Sequence, residues 1–382
     1  MLTSDDRILT THAGSLPRPK ALVELHGRRS RDEPVDTDEL RRQVEEATAA
    51  SIAAQLEAGI DIGNGGEQAR ESFFTYVSHR MTGFGFGDES HRPLMADLAD
   101  HPDFLDLVLP RRQHAPVDLM RAPAAIGAVA YRDTSEVDEE CRLVAGAGFR
   151  ETFMTAASPG IVAAAMDNRH YPSREEYLRA IAAALSTEYR AITDHGLLLQ
   201  IDAPDLALER HTLFADRPLA EFGEWVELVI GAINMSLAGI DPAQVRLHVC
   251  WGNYEGPHTR DVPLEDILSL LYEAHVGALV LSMANPRHAH EYRCFTRNPL
   301  PGNMILIAGV IDTTTNYVEH REVVAARLDR AAQAIGDPHR VIAGTDCGFD
   351  TSAGYGAVAP SVVWEKLRSL RQGADLASSR LF

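Results

Sequence analysis

His248-Val249-Cys250 and, far along the chain, Cys347 are the residues whose types and spacing best suit chemistry. Each piece ends an apolar, strand-like run that meets a Gly-containing loop, in VRLHVCWGN and VIAGTDCGF. Positions i and i+2 of a strand face the same side, with Cα atoms roughly 6.5–7 Å apart. Metal–ligand bonds of about 2.0–2.3 Å let one zinc ion bridge that gap. Three protein ligands leave a coordination position open, the pattern of a catalytic rather than a structural zinc. A thiol suits that position. With a pKa near 8.5, only a few per cent of a free thiol is thiolate at neutral pH, and a metal deprotonates it while leaving it nucleophilic. Two cysteine thiolates balance the dication, so an arriving thiolate makes the complex anionic and favours attack on an electrophilic carbon. An isolated H-x-C is weak, because strands commonly bury both residue types. The weight comes from both pieces ending strands before polar or Gly-rich loops, Trp251-Gly252-Asn253 and Gly348-Phe349-Asp350.

Such ligands need strands whose ends converge. Short apolar runs alternate with longer helical patterns, as in βα units around a parallel sheet. Strands are expected near 7–15, 59–66, 150–156, 197–203, 245–251, 278–283, 304–311 and 341–347. Asp36 and Glu39 have capping-box spacing before a helix running to about Ala58, and Gly59 follows it. Ser173 and Glu176 repeat the device before a helix over 177–195, which Gly196 closes. Pro218 opens a further helix ending near Ala238-Gly239. Eight strands point to an α/β fold, a closed (β/α)8 TIM barrel with its active site at the strands' carboxyl ends. An open doubly wound sheet is disfavoured, since no Gly-rich phosphate loop follows the first strand. One domain is expected over 1–382, with insertions near 72–116 and 126–147. The first insertion contains Gly83-Phe84-Gly85-Phe86-Gly87, expected to wall the active site or to make a homo-oligomer contact.

The composition fits that architecture. The chain has 382 residues, 45% hydrophobic and 24% charged, enough for a large core. A net charge of −19 disfavours nucleic acid or an anionic membrane as partner. Four cysteines in so long a chain are no disulfide framework, and Cys141 and Cys294 read as buried or idle thiols. The amino terminus lacks the basic and apolar segments of a secretory signal. The most apolar stretch, near 153–166, falls short of a membrane span. A reducing cytoplasm is the expected compartment.

Taken together, the motifs resemble those of cobalamin-independent methionine synthase, its catalytic carboxyl-terminal barrel and similar single-barrel proteins. The resemblance covers nearly the whole chain. In that family an H-x-C segment and a later D-C-G segment carry zinc ligands, which match His248/Cys250 and Asp346-Cys347-Gly348. Gly14-Ser15-Leu16-Pro17 is similar to the family's G-S-F-P loop, whose Gly and Ser hold the amino-acid thiol's carboxylate. Gly66-Glu67 resembles the G-E pair whose carboxylate holds the amino group. Gln200-Ile201-Asp202 matches a Q-x-D segment whose Asp also reaches that group. Tyr76-Val77 and Gly83-Phe84 fall at the family's spacing as well.

Two departures stand out. The family's Glu zinc ligand is missing from Val280-Leu281-Ser282-Met283-Ala284-Asn285, where neither Ser282 nor Met283 replaces it well. A family His on the following strand is replaced by Thr within Gly309-Val310-Ile311-Asp312-Thr313-Thr314, though Asp312 is kept. Three rim segments resemble the single-barrel relatives: Asn253 to His258, Asn285 to Glu291 and Thr315 to His320. From these, His258, His288 or His290 is expected as a proton donor, with Asp312 also catalytic, or else as loop-tying hydrogen-bond residues. Asn285 and Arg287 are expected at the substrate, unless Arg287 only pairs with a carboxylate such as Glu291.

These features imply a zinc-dependent thiol alkyltransferase moving a methyl group onto homocysteine or a similar amino-acid thiol. His248, Cys250 and Cys347 hold Zn2+, while Gly14, Ser15, Glu67 and Asp202 clamp the acceptor. The donor is open between a methyltetrahydrofolate-like compound, a corrinoid and another small electrophile. A second reading is epoxide opening or thioether cleavage, as in epoxyalkane:coenzyme M transferases. A third is a paralogue that binds zinc or a thiol without turnover.

Overall fold

The computed structural model describes residues 1–85, 94–112, 116–117 and 122–382, and side chains throughout these except 108–112. Phe86 and Gly87 of the predicted Gly-Phe wall lie outside the described residues. Nine strands are named along the chain. They are β1 (Ile62–Gly63), β2 (Met81–Gly85), β3 (Ala124–Tyr131), β4 (Glu151–Ala157), β5 (Leu198–Asp202), β6 (Val245–Val249), β7 (Ala278–Ser282), β8 (Ile305–Ile311) and β9 (Val341–Thr345).

Seven of them form one parallel sheet in the order β1-β4-β5-β6-β7-β8-β9, inside an α/β fold. Thr10 bridges Ala343 of β9 and Thr11 bridges Ile62 of β1, both in parallel. The amino-terminal segment therefore reaches both edge strands. It forms isolated bridges rather than a long strand, because the Asp61 carboxylate takes the Thr10 amide at 2.9 Å. β1 is short for a related reason: the Gln55 side chain donates to Asn64 O at 2.8 Å and accepts from Asn64 N at 3.2 Å.

Helices cross between successive parallel strands, among them Arg174–Asp194, Leu219–Ser236 and Arg321–Ile335. Their starts follow the local chemistry. The Asp36 carboxylate accepts from Asp38 N and Glu39 N, and the Ser173 hydroxyl from Glu176 N. Gly196 follows its helix with φ +73°. No described helix is long and apolar enough to cross a membrane.

The chain between β1 and β4 departs from the two expected insertions. β2 and β3 pair antiparallel, joining both segments into one excursion. The helix Ser135–Val144 packs beside Thr37–Glu57 and Arg174–Asp194, in line with the other crossover helices. Glu188 pins the excursion down, accepting from Tyr76 and Tyr131 hydroxyls at 2.5 Å each. Arg80 lies 3.3 Å from the same carboxylate and pairs with Glu140.

Period-two alternation sorts the strands. Leu199, Ile201, Val245, Leu247 and Val249 belong to the large core against the helices. Leu9, Ile62, Phe153, Leu198, Val280, Ile307 and Ile342 form a second cluster that links the strands on their other face. On that face, further along the strands, polar groups take over. Arg246 lies over the Phe153 ring at 4.1 Å and donates to Thr11 Oγ1 and His12 O. Above them come Gln200, Asp202 and His248, all buried.

Candidate active site

β6 ends one residue before Cys250 and β9 ends two before Cys347, so both sulfurs stand at carboxyl ends of strands. One ligand atom from each of His248, Cys250 and Cys347 lies within 4.8 Å of the others. The two sulfurs are 4.0 Å apart. That is far beyond a disulfide bond. It is close to the separation of roughly 3.8 Å implied by two bonds of about 2.3 Å to a tetrahedral zinc. All three residues are buried. His248 Nδ1 is 2.9 Å from Asp202 Oδ1, which leaves Nε2 as the ring's metal-type atom. A carboxylate behind a ligating imidazole is the usual support of such a ligand. Chemistry and geometry of this donor set fit zinc.

The electrostatics of the triad are those of a charged pair. Contact with Cys347, then with His248, holds the Cys250 thiol well below the usual range against burial. The same contact with Cys250, together with burial, pushes Cys347 well above it. Burial opposes charge on His248, but hydrogen bonds to Asp202 and Cys250 carry it up to about 10.

A cleft of about 1540 Å³, its open mouth included, is lined by His248, Cys250 and Cys347 together with Ser15, Glu67 and Asp202. Its other walls include Phe73, Phe74, Leu94, Met95, Ile161 and Leu208. Glu67 holds φ +56°. Its Oε1 accepts from Thr155 Oγ1 at 2.9 Å, while Oε2 is buried without a hydrogen-bond partner among the described residues. Burial, then the nearby Asp202, raises Glu67 to about 7, with Arg70 and Arg18 opposing. Gly14, at φ +132°, makes room for this carboxylate: a Cβ there would stand 2.7 Å from Glu67 Oε1. Asp202 Oδ1 also accepts from Gln200 Nε2 at 2.7 Å.

The other sequence-predicted residues distribute differently. Asn285, His288 and Asp312 line a smaller neighbouring cavity of about 300 Å³ with Cys250 and Cys347. Asp312 Oδ1 accepts from Thr314 N at 2.7 Å and Thr315 N at 3.0 Å, which fixes its own loop. His258 lies in neither cavity, its ring nitrogens 2.8 Å from Asp261 and 3.0 Å from Tyr254 O. Arg287 and His290 are exposed and line neither. Glu291, the suggested partner of Arg287, instead accepts from Leu264 N at 2.7 Å and lies 2.9 Å from His288.

Several contacts of the site escaped the sequence reading. Asn253 donates to Gly348 O and accepts from Thr313 Oγ1, linking the three loops after β6, β8 and β9. Arg18 donates to Glu67 O at 2.8 Å and pairs with Asp350 at 3.0 Å. The Asp346 carboxylate accepts from the amides of Met283, Ala284 and Asn285. Ser282, at the position of the missing ligand, donates its hydroxyl to Asp346 O at 2.7 Å. Asn253, Ser282 and Asp346 stood in segments the sequence had marked, whereas Arg18 carried no signal.

Comparison with known proteins places this geometry in context. Residues 152–363 match the family model described as cobalamin-independent synthase, catalytic domain. A methionine synthase of Sulfolobus acidocaldarius is 25% identical over 346 residues, covering 89% of this chain and 85% of the relative. A 2-hydroxypropyl-CoM lyase of Xanthobacter autotrophicus is 23% identical over 408 residues, covering 99% and 96%. Among solved structures, a B12-independent methionine synthase from Shewanella sp. W3-18-1, in complex with selenomethionine, aligns with a TM-score of 0.75 at 21% identity. That alignment covers 98% of this chain and 99% of the other, and speaks for a shared fold.

Proposed function

Because the chain belongs to the cobalamin-independent synthase catalytic-domain family, we propose that it is a zinc-dependent methyltransferase acting on homocysteine or a closely similar amino-acid thiol. One observation carries the reading: the Ser15, Glu67 and Asp202 side chains line the same cleft as His248, Cys250 and Cys347. The seven-stranded sheet and the bridging amino-terminal segment are taken as a closed (β/α)8 barrel and a single catalytic domain, with the cleft at its carboxyl-end face.

His248, Cys250 and Cys347 would hold the zinc, which when bound supplies a Lewis acid that stabilises a thiolate. Asp202 fixes the His248 tautomer through Nδ1. Glu67 Oε2, buried and lacking a hydrogen-bond partner among the described residues, offers its charge to the acceptor's ammonium. Ser15, in the loop that matches the family's carboxylate-holding segment, is assigned the acceptor's carboxylate. Holding the amino and carboxylate groups restricts the orientation of the sulfur within a cleft whose walls include Phe73, Phe74 and Met95. The thiol releases its proton to solvent on binding; the sulfur then forms a bond to the methyl carbon as the carbon–donor bond breaks and the donor leaves with that electron pair. The donor is a methyltetrahydrofolate-like compound or a corrinoid. A thiolate-rich centre suits a reducing compartment such as the cytoplasm.

A second reading, opening of an epoxide or cleavage of a thioether, draws on the similarity to the Xanthobacter lyase. The paired carboxylates Glu67 and Asp202 favour an acceptor that carries an amino group. Elemental analysis followed by calorimetric titration with homocysteine and with a sulfonate thiol separates the two. Zinc with homocysteine binding supports the first reading; zinc with preference for the sulfonate supports the second. Absence of metal sinks both.

A further inference from the structure

Beside the cleft lies a second group of metal-type ligands. His258 and Asp261 come from the loop after β6, and His288 from the loop after β7. One ligand atom from each lies within 4.8 Å of the others. His258 Nδ1 and His288 Nε2 are both 2.8 Å from the same oxygen, Asp261 Oδ2. The three side chains are 2–4% exposed.

The outward-facing nitrogens are equally informative. His258 Nε2 is 3.0 Å from Tyr254 O, and His288 Nδ1 is 2.9 Å from Glu291 Oε2. Each ring therefore stands between two acceptors. Filling all four of these contacts with hydrogens on the rings would take two on each imidazole, so that two buried cations converge on one carboxylate oxygen. A divalent cation replacing the two inner hydrogens keeps the total charge and leaves both rings neutral. The outer N–H groups then donate to a carbonyl and a carboxylate, as metal-bound histidines do.

A third imidazole stands on the other side of the same carboxylate. The His211 ring is 1% exposed and its Nδ1 lies 3.2 Å from Asp261 Oδ1. Neither its ring nitrogens nor that oxygen makes a hydrogen bond among the described residues. Asp261 thus meets two imidazoles at Oδ2 and a third at Oδ1.

We propose that His258, Asp261 and His288 form a second metal site, for a divalent transition cation that accepts two imidazoles and a carboxylate, such as zinc, iron(II) or cobalt(II). Ligand atoms around one tetrahedral cation lie roughly 3.3 Å apart, so filling the site opens each inner contact by about 0.5 Å. The site shares no ligand with the His248–Cys250–Cys347 centre. Its role is positional. The His288 ring stacks on Trp251, with centroids 3.9 Å apart and planes at 18°, and Trp251 follows Cys250 directly. A cation here fastens the loops after β6 and β7 to one another and steadies that indole.

The test is cobalt(II) titration of the metal-stripped, full-length protein, read by absorption and by bound-metal analysis. Thiolate-ligated cobalt shows an intense near-ultraviolet charge-transfer band that imidazole and carboxylate ligands do not produce. Two equivalents are expected to bind in the wild type, with the thiolate band saturating at one. His288→Gln and Asp261→Asn should each lose one equivalent and keep the band; Cys250→Ala should lose the band and keep one equivalent. Wild-type protein that binds a single equivalent, wholly accounted for by the thiolate band, overturns the second site whatever the variants do. A missing band with one His288-dependent equivalent would leave the second site standing and remove the first.

Discussion

Asp202 shows how one side chain serves two groups. Its Oδ1 meets both Gln200 Nε2 and His248 Nδ1, and Asp202 and His248 are direct register partners across β5 and β6. Asp202→Asn keeps the shape and removes the charge behind the imidazole. Zinc affinity should fall on the order of 10–100-fold, the usual cost of losing such support, with homocysteine binding weakened as well. Competition with a chromophoric chelator measures the first; unchanged zinc affinity would confine Asp202 to the substrate side. Cys250→Ala should abolish both high-affinity zinc binding and thiol alkylation, and retention of stoichiometric zinc at that centre would remove Cys250 from it. His248, Cys250 and Cys347 were legible in the sequence as candidate ligands, because both pieces end apolar runs before polar or Gly-rich loops. The second duty of Asp202 was not. It depends on strand register, which a linear pattern does not record.

The elements that carry these residues were legible where apolar runs were long and bounded. β4 to β9 fall within a few residues of the expected spans. The first and second runs shrink to bridges and a two-residue strand, because the side chains of Asp61 and Gln55 satisfy backbone groups there. The excursion was misdivided for a different reason. β2 and β3 pair across some forty residues of sequence, and no local signal announces that pairing. Loop contacts at the strand ends make a sharper prediction. A Cβ on Gly348 would stand 2.0 Å from Ser15 Oγ, which in turn shares the cleft with the ligands. Gly348→Ala should displace the Ser15 loop, cost about 1–3 kcal/mol of stability and raise KM for the thiol severalfold while zinc content stays constant. Unchanged KM in the folded variant would show that the Ser15 loop does not hold the acceptor.

At the scale of the whole molecule, the cleft keeps a buried acid, Glu67, to which the proposed function assigns an ammonium. Composition reveals none of this, since a net charge of −19 says nothing of which carboxyl is desolvated. Burial and Asp202 raise Glu67 from its ordinary range to about 7. The folded state therefore holds a proton that the unfolded chain has released between those two values. Such a contribution favours folding fully below the unfolded pKa and is lost as pH rises through about 7. Replacing Glu67 by Gln, which carries no titrating proton, removes the dependence. The stability difference between wild type and Glu67→Gln should thus swing against the wild type from pH 5 to pH 8, by on the order of 3 kcal/mol. Homocysteine should reverse the order at pH 8, because its ammonium pairs with the ionised wild-type carboxylate and finds only an amide in the variant. Binding to the wild type should accordingly tighten as pH rises through 7. Denaturant unfolding of both proteins at the two pH values, with and without homocysteine, supplies the comparison. Parallel pH profiles for the two proteins would mean that Glu67 is already ionised and solvated, and that the ammonium is held elsewhere.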